Sequence, residues 1–209
     1  IMGSSFQYNI TAGFRVVDAI QQTLVQNTAG LLKAGYNRKR LQIGTTSGNQ
    51  SETPHNATQR AGGSMPVAAG GDSLAINGHT LFFEQGTIEP AFDPASLAIR
   101  GKGFFMVAEN ALPGARVFLT RAGNFKFDAE GRLVNQQGMF VVGGNGAARV
   151  DASGRTVGAP PLVTALPDGT VDLNTLTLAN VGAPHQLQIS GYGDTIYRVT
   201  DTSGPLKVF

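Results

Sequence analysis

Few side chains in this chain could do chemistry, and their spacing fits neither a catalytic site nor a metal site. The histidines are scattered, at no spacing that favours a metal ion: His55, His79 and His185. Gly101 and Gly103 lack the preceding glycine loop with which a P-loop binds phosphate. Ser64 follows two glycines, but Pro66 stands where a nucleophile elbow ends in glycine. These residues predict a protein that is not an enzyme and uses no cofactor and no metal.

Four aspartates could serve as calcium ligands: Asp128, Asp151, Asp168 and Asp172. Each lies in a turn with glycine, where an aspartate side chain commonly accepts hydrogen bonds from its own backbone. We interpret them as turn-capping residues, with calcium binding as the alternative. Basic and aromatic residues also alternate in Arg121–Phe127, a pattern that could stack nucleic-acid bases. A strand with one buried face explains the same alternation, so we expect no nucleic-acid partner.

Composition narrows the class of protein further. Of 209 residues, 28 are glycine and none is cysteine, and 14% are charged, against about 25% in an average domain. The net charge of +2 is too small for a nucleic-acid footprint, and no apolar run is long enough to span a membrane. No small-molecule substrate and no membrane embedding are expected. Many short strands joined by glycine turns are predicted.

One helix is predicted, from Thr11 to about Leu32, with Thr11 as its N-cap and Gly30 or Gly35 at its end. Apolar residues recur on it at helical spacing: Phe14, Val17, Ile20 and Leu24. Such a stripe packs either on the chain's own core or on a partner helix, and both alternatives stay open here. Residues 44–72 are poor in bulky apolar side chains. We predict that this segment is an extended polar loop that becomes ordered only against a neighbour. In an isolated monomer, protease should therefore cleave it.

From Ser73 onward, short apolar runs alternate with turn formers such as Asn77-Gly78 and Asp168-Gly169. The predicted strands are Leu81–Glu84, Leu97–Arg100, Phe104–Ala108, Arg116–Arg121, Asn124–Phe127, Arg132–Asn135, Met139–Val142, Leu162–Leu166, Leu176–Ala179, Gln186–Ser190, Ile196–Thr200 and Leu206–Phe209. Their predicted core side chains are Phe104, Phe105, Phe125, Phe127, Leu133 and Phe140. The fold class is therefore mainly β: an antiparallel β-rich body behind one N-terminal α-helix. Its predicted parts are residues 1–43, 44–72 and 73–209.

Two ordered motifs occupy the centre of the chain: residues 97–107, LAIRGKGFFMV, and residues 119–135, LTRAGNFKFDAEGRLVN. The first resembles the segment L-x-I-x-G-x-G-F-F-x-V, and the second the segment (Y/F)-T-R-x-G-x-F-x-x-D-x-x-G-x-L-V, of the flagellar hook and rod proteins of bacteria. The matching positions are Gly101, Gly103, Phe104, Phe105, Thr120, Arg121, Gly123, Phe125, Asp128, Gly131, Leu133 and Gly138. Residues 27–30 and 34–38 are similar to the family's N-N-x-A-N-x-x-T-x-G-(F/Y)-K-R, and residues 193–197 to its closing strands.

This resemblance implies a structural subunit of the flagellar axial structure, assembled through its terminal segments with copies of itself and other axial proteins. The implied assembly helix carries Phe14, Val17, Ile20, Leu24 and Asn27. The resemblance also implies type III export without a cleaved signal peptide, and a place in the basal body between periplasm and cell exterior. The small size favours the rod over the hook.

Rod and hook proteins also share a C-terminal helix, and no such helix is predicted up to Phe209. We therefore expect either that the chain is truncated or that this is a divergent relative. The alternative function is a secreted or envelope-associated binding and adhesion module derived from the same fold.

Overall fold

The structure, a computed structural model, describes residues 3–46, 73–144, 149–151, 153–180, 187–199 and 207–208. Its helices are α1 (Gly3–Gly30) and a 3-10 helix (Leu173–Thr175). Its strands are β1 (Arg38–Thr46), β2 (Ser73–Phe82), β3 (Phe104–Ala108), β4 (Val117–Thr120), β5 (Lys126–Phe127), β6 (Leu133–Val134), β7 (Phe140–Val142), β8 (Leu178–Asn180), β9 (Leu187–Ser190), β10 (Gly193–Val199) and β11 (Lys207–Val208). The chain divides into two compact units, residues 1–28 with 39–80 and residues 29–38 with 81–209. The predicted fold class, mainly antiparallel β with an N-terminal helix, is confirmed.

Helix α1 is longer than the sequence predicted. It begins at Gly3, so Thr11 lies inside it and the predicted N-cap is wrong. Residues 3–10 contain no proline, and their short polar side chains cost a helix only a few tenths of a kcal/mol each. The predicted end is confirmed, because α1 stops at Gly30 and the positive φ of 71° at Gly35 turns the chain away.

The first unit contains α1 and a two-stranded sheet of β1 and β2. Strand β1 was not predicted, although Leu41 and Ile43 alternate with polar residues as a strand requires. Residues 44–46 thus belong to a strand rather than to the predicted polar loop, and residues 47–72 of that loop lie outside the described residues. Strand β2 ends at Phe82, so it contains only the first two residues of the predicted strand Leu81–Glu84.

In the described part of the second unit, nine strands form a sheet centred on β3. The order along the sheet is β5-β6-β7-β3-β4-β10-β9, with β8 also paired to β3 and β11 paired to β8. All five residues of β3 are buried, because each face of the sheet carries its own core. One core contains Phe105 and Val107, and the other contains Phe104 and Met106. A strand buried on both faces reads as a continuous apolar run, as residues 104–108 do.

The predicted core side chains are mostly confirmed. Phe104, Phe105, Phe125 and Leu133 are at most 5% exposed. Phe127 is partly buried and packs against the core that holds Phe105 and Phe125. Phe140, also predicted as a core residue, is only partly buried. The guanidinium of Arg132 lies 4.7 Å from the centre of its ring, so a cation covers this side chain.

Two of the predicted strands are wrong. Residues 97–100 form no strand, because the neighbouring pairing is limited to a bridge between Ser96 and Asn124, and the carbonyl of Ile99 accepts from the side chain of Gln85 at 3.3 Å. Residues 162–166 make only isolated bridges, each to a different segment. Both segments are apolar because they cover the core, which shows that burial and strand pairing are separate requirements.

Candidate assembly site

The apolar stripe predicted on α1 lies on the surface of its unit. Phe14 is 70% exposed, Val17 52%, Ile20 38% and Leu24 60%. Two further exposed side chains, Ile10 and Val25, widen the same side of the helix. We call these residues the helix seam: Ile10, Phe14, Val17, Ile20, Leu24 and Val25. The sequence left two alternatives open for this stripe, the chain's own core or a partner helix. The exposed fractions show that the stripe does not pack in the core of its own unit.

A different face of α1 is used inside the first unit. Val16 is 5% and Thr23 7% exposed, and the hydroxyl of Thr23 lies 3.4 Å from Nε2 of His79 on β2. The side-chain amide of Asn27 donates to the carbonyl of Lys39 at 2.8 Å and accepts from its backbone N–H at 2.9 Å. Asn27 was predicted as part of the assembly helix. Its side-chain amide bonds with both backbone groups of Lys39, as the backbone of a neighbouring strand would.

In the second unit, Arg121 joins the two halves of the central motif. Its Nη2 donates to the carbonyl of Gly101 at 2.8 Å and its Nε to that of Gly103 at 3.0 Å. The guanidinium also lies 5.1 Å from the centre of the Phe104 ring. Burial lowers the pKa of Arg121, although an arginine stays charged at neutral pH. The two glycines take φ of 101° and 155°, a backbone conformation that residues with a side chain rarely adopt.

Gly123 permits a close approach that no other residue would. A Cβ at this position would lie 1.5 Å from the carbonyl oxygen of Leu97, while the N–H of Leu97 donates to the carbonyl of Gly123 at 2.8 Å. Thr120, also in the motif, donates its hydroxyl to the carbonyl of Thr195 at 2.8 Å. The motif therefore binds three parts of the second unit together, and its residues serve architecture.

The candidate calcium aspartates cap their own turns. Asp128 accepts through Oδ1 from the backbone N–H of Arg132 at 2.7 Å and through Oδ2 from its Nε at 2.7 Å. Desolvation raises the pKa of Asp128, but the hydrogen bonds from Arg132 and the charge of that residue outweigh it and lower the pKa overall. Gly131 follows with φ 75°. The other three aspartates each accept a hydrogen bond from the backbone N–H two residues later: Asp151, Asp168 and Asp172.

Asn135 and Gly138 repeat this turn between β6 and β7. The Oδ1 of Asn135 accepts from the N–H of Met139 at 2.8 Å, and Gly138 has φ 77°. Both turns set the register of short strands, which have few ladder bonds of their own. The predicted interpretation of the aspartates as turn caps is confirmed.

Sequence reasoning missed the contacts that hold residues 29–38 on the second unit. Gly35 approaches so closely that a Cβ would lie 2.2 Å from the backbone nitrogen of Ala122. The amide of Asn37, which is 4% exposed, donates to the hydroxyl of Tyr197 at 2.9 Å. Burial raises the pKa of Tyr197 to about 12. Lys33 and Asp194 add an exposed ion pair of 3.0 Å. We call these contacts the anchor.

The described residues offer little to a ligand. Among them, no group of three or more His, Cys, Asp or Glu side chains is placed to hold a metal ion. No helix in the described part of the chain is long and apolar enough to cross a membrane. Among the described residues, the exposed apolar side chains of the helix seam point to a partner.

Comparison with known proteins identifies the motif-bearing region. Residues 98–182 match the family model described as the flagellar hook protein FlgE/F/G D1 domain. This range contains strands β3 to β8 and both halves of the central motif. The resemblance to flagellar rod and hook proteins that the motif predicted is confirmed.

Individual relatives include both rod and hook proteins. The chain is 27% identical over 188 residues to the flagellar basal-body rod protein FlgG of Caulobacter vibrioides, and 29% identical over 190 residues to the rod protein FlgF of the same bacterium. Each alignment covers 88% of this chain and 69% of the relative. The flagellar hook protein FlgE of Brucella melitensis is 34% identical over 130 residues, which are 56% of this chain. The chain spans 32% of that hook protein's length.

Proposed function

We propose that this chain, whose residues 98–182 are of the flagellar hook and rod D1 type, is a structural subunit of a flagellar axial structure and catalyses no reaction. The observation that carries the proposal is the helix seam, six large apolar side chains that their unit leaves 38–70% exposed. A monomer gains nothing from such a surface, whereas a subunit that packs against its neighbours needs one. Its partners are copies of itself and other axial proteins.

The rod is the favoured position within that structure. The two rod relatives each align with 88% of this chain, whereas the hook relative aligns with 56% of it. More of this chain therefore has a counterpart in the rod relatives. We also propose that the subunit is exported by the flagellar type III route without a cleaved signal peptide.

The second unit supplies the rigid body that such a subunit needs. Its sheet is buried on both faces, and its turns are fixed by side-chain caps and by Arg121. A body of this kind keeps its shape under load, because interiors at native packing density have low compressibility. The exposed helix seam of the first unit supplies the contact with neighbouring subunits. Rigidity and subunit contact are therefore assigned to different parts of the chain.

The test is the double substitution Val17→Asp/Leu24→Asp in the source bacterium. Both side chains are more than half exposed, so the two aspartates should lower stability only by their helix propensity, about 0.7 kcal/mol or less each. Burying the two charges in a subunit contact would cost several kcal/mol. We expect the melting temperature of the purified chain to fall by only a few degrees, and no further than in the matched control, with loss of motility and of rod assembly.

The matched control is Gln22→Asp/Gln26→Asp, which adds the same two charges on the polar side of α1, where both glutamines are exposed. This variant should assemble and swim normally. Normal motility of the Val17→Asp/Leu24→Asp strain would remove the helix seam from the mechanism and favour the binding-module alternative. Collapse of folding in the purified variant would place the seam in the chain's own core.

A further inference from the structure

Two arginines face each other across a short ladder in the second unit. Arg116, immediately before β4, pairs with Arg155 in an antiparallel bridge. Val117 and Thr156 donate the backbone hydrogen bonds that flank this bridge. The two arginines thus form a non-hydrogen-bonded pair, in which the side chains lie closest together. Like charges placed directly opposite each other destabilise a ladder, so this pair costs the isolated chain stability.

A third arginine, Arg149, lies on the same face. The N–H of Val157 donates to the carbonyl of Arg149 at 2.7 Å, so these two residues lie opposite each other. Val157 follows Arg155 by two residues and therefore points to the same side. Thr156 between them is 6% exposed, whereas Val157 is 67% exposed, which makes this side the outer one. We call this surface the arginine face: Arg116, Arg149 and Arg155.

The arginine face has little free counter-charge around it. All three arginines are exposed, and none forms an ion pair with a described residue. The neighbouring carboxylates already accept hydrogen bonds from other groups. Asp151 accepts from the backbone N–H groups of Ser153 and Arg155, and Glu109 accepts from the hydroxyl of Tyr192 at 3.1 Å. The arginine face therefore favours a partner with carboxylates, each of which an arginine can bind with two parallel hydrogen bonds.

Two adjacent turns of the same unit carry exposed carboxylates, which we call the acidic turns: Glu130 and Asp168. The turns lie side by side, because the N–H of Ala165 donates to the carbonyl of Gly131 at 2.7 Å. Arg132 pairs with Glu130 at 2.9 Å but also with a second carboxylate, that of Asp128. It therefore balances only part of the negative charge in this region.

The arginine face and the acidic turns lie towards opposite ends of the strands. Ala108 on β3 pairs with Phe140, which pairs with Val134, and the first residue of β4 belongs to the same row. Arg116 lies one residue beyond this row. Glu130 lies four residues before Val134, on the other side of the row. At about 3.3 Å per residue, the two charges are roughly 15 Å apart along the strands, too far to pair within one copy.

We propose that the arginine face of one copy of this chain binds the acidic turns of the next copy. The carboxylates of the neighbour relieve the repulsion within the arginine pair. The two surfaces differ, so the contact is head-to-tail, and each bound copy still offers one free surface of each kind. Contacts of this type extend into rings or helical filaments, whereas a self-complementary contact closes at a dimer. The inference rests on the proposed axial function, to which it adds a contact between second units.

Charge reversal tests the contact, because two variants that repel their own copies should attract each other. The first variant is Arg116→Glu/Arg155→Glu and the second is Glu130→Arg/Asp168→Arg. In sedimentation, the concentration at which half of each variant associates should rise by about tenfold or more, because like charges then meet in the contact. The equimolar mixture of the two should associate as the unsubstituted chain does.

The matched control is Arg100→Glu/Lys102→Glu, which changes the net charge as much as the first variant does. Both residues are exposed and lie outside the two surfaces, so this variant should associate normally. Asp168→Arg also removes the acceptor of the Thr170 N–H. Glu130→Arg alone leaves that turn intact and should weaken association in the same direction. Circular dichroism and melting temperature establish that each variant is folded.

The other outcomes each overturn a defined part of the account. Folded reversed variants that associate as the unsubstituted chain does would overturn the inference and leave the axial function standing. Weaker association that the mixture does not restore would also overturn it, because the arginine face would then bind a different anionic surface. An unsubstituted chain that does not associate at any concentration tested would count against the axial function itself.

Discussion

The central motif and helix α1 use apolar side chains for opposite purposes. In the motif, Phe105 and Phe125 are 2% and 1% exposed, and their rings meet edge to face with centroids 5.0 Å apart. On α1, Phe14 is 70% exposed, although it belongs to an equally regular apolar pattern. The difference shows that a regular apolar pattern can either fill the core of its own unit or remain exposed on the surface.

The polar residues divide in the same way. Around the motif, the side chains of Arg121, Asp128 and Asn135 form hydrogen bonds with backbone groups of the second unit. On the side of α1 away from the helix seam, Gln22 bonds only with Asp18 of the same helix among the contacts described. The six side chains of the helix seam carry no hydrogen-bonding group, so a neighbour can cover them at little desolvation cost. Substitutions in the two regions should therefore differ in what they damage.

The largest expected effect is the loss of a ring from the motif core. Phe105→Ala or Phe125→Ala should lower the free energy of unfolding by about 3–5 kcal/mol, because each removes a fully buried aromatic side chain. Phe14→Ala makes the same truncation on α1 and should cost less than about 1 kcal/mol, since its ring is mostly in water. Urea unfolding of the three variants measures this. Equal losses would erase the distinction between the regions.

Two glycine substitutions should act with opposite signs. Gly123→Ala places a methyl group 1.5 Å from the carbonyl oxygen of Leu97, and overpacking of this kind costs about 1–3 kcal/mol. Gly13→Ala meets nothing within 4 Å and replaces the poorest ordinary helix former, which should stabilise α1 by up to about 1 kcal/mol. Melting temperatures of both variants check the prediction. A tolerated Gly123→Ala would show that the Leu97 segment is not tightly held.

An intermediate effect is expected at the anchor. Tyr197→Phe deprives the buried amide of Asn37 of the hydroxyl that accepts from it at 2.9 Å, and a buried donor without a partner costs about 1–3 kcal/mol. Lys33→Ala breaks the exposed ion pair with Asp194, which is worth about 0–1 kcal/mol. Urea unfolding should rank the first variant well below the second. The reverse order would mean that charge rather than the buried amide holds residues 29–38.

The smallest effect concerns pH. The pKa of Asp128 is lower in the folded chain than its usual value, so its charged form stabilises the fold above about pH 4. This contribution is lost as the pH falls through the lowered pKa. Asp128→Asn should therefore melt at a lower temperature than the unsubstituted chain at pH 7, and the gap should close towards pH 2. A gap that stays constant with pH would show that the turn needs the shape of Asp128 but not its charge.

Local patterns were enough to predict the body but not the contacts between distant segments. Alternation and turn residues located most strands of the second unit, and the caps at Asp128 and Asp151 followed from turn chemistry. The bond between Asn37 and Tyr197 joins residues 160 positions apart. No periodicity reports such a pair, although both residues lie in stretches that resemble the family. The pairing of β1 with β2 was missed for the same reason.

The exposure of the helix seam also could not be predicted from the sequence. Periodicity tells which residues share a face of a helix, but it does not tell whether the chain itself covers that face. Val16 and Thr23, two buried positions among the described side chains of α1, were not predicted, because one is a single apolar residue beside the stripe and the other is polar. The more apolar side of this helix is the one left in water.

The central claim, that the helix seam joins subunits and does not hold the fold, is tested most directly by sedimentation of Val17→Ser/Leu24→Ser beside the unsubstituted chain. The account predicts that the variant sediments at the monomer mass of 21.8 kDa at concentrations where the unsubstituted chain forms larger species. Its circular dichroism at 222 nm should be unchanged, because serine removes only exposed apolar groups. Association equal to that of the unsubstituted chain, or loss of the helical signal in the monomer, would contradict the claim.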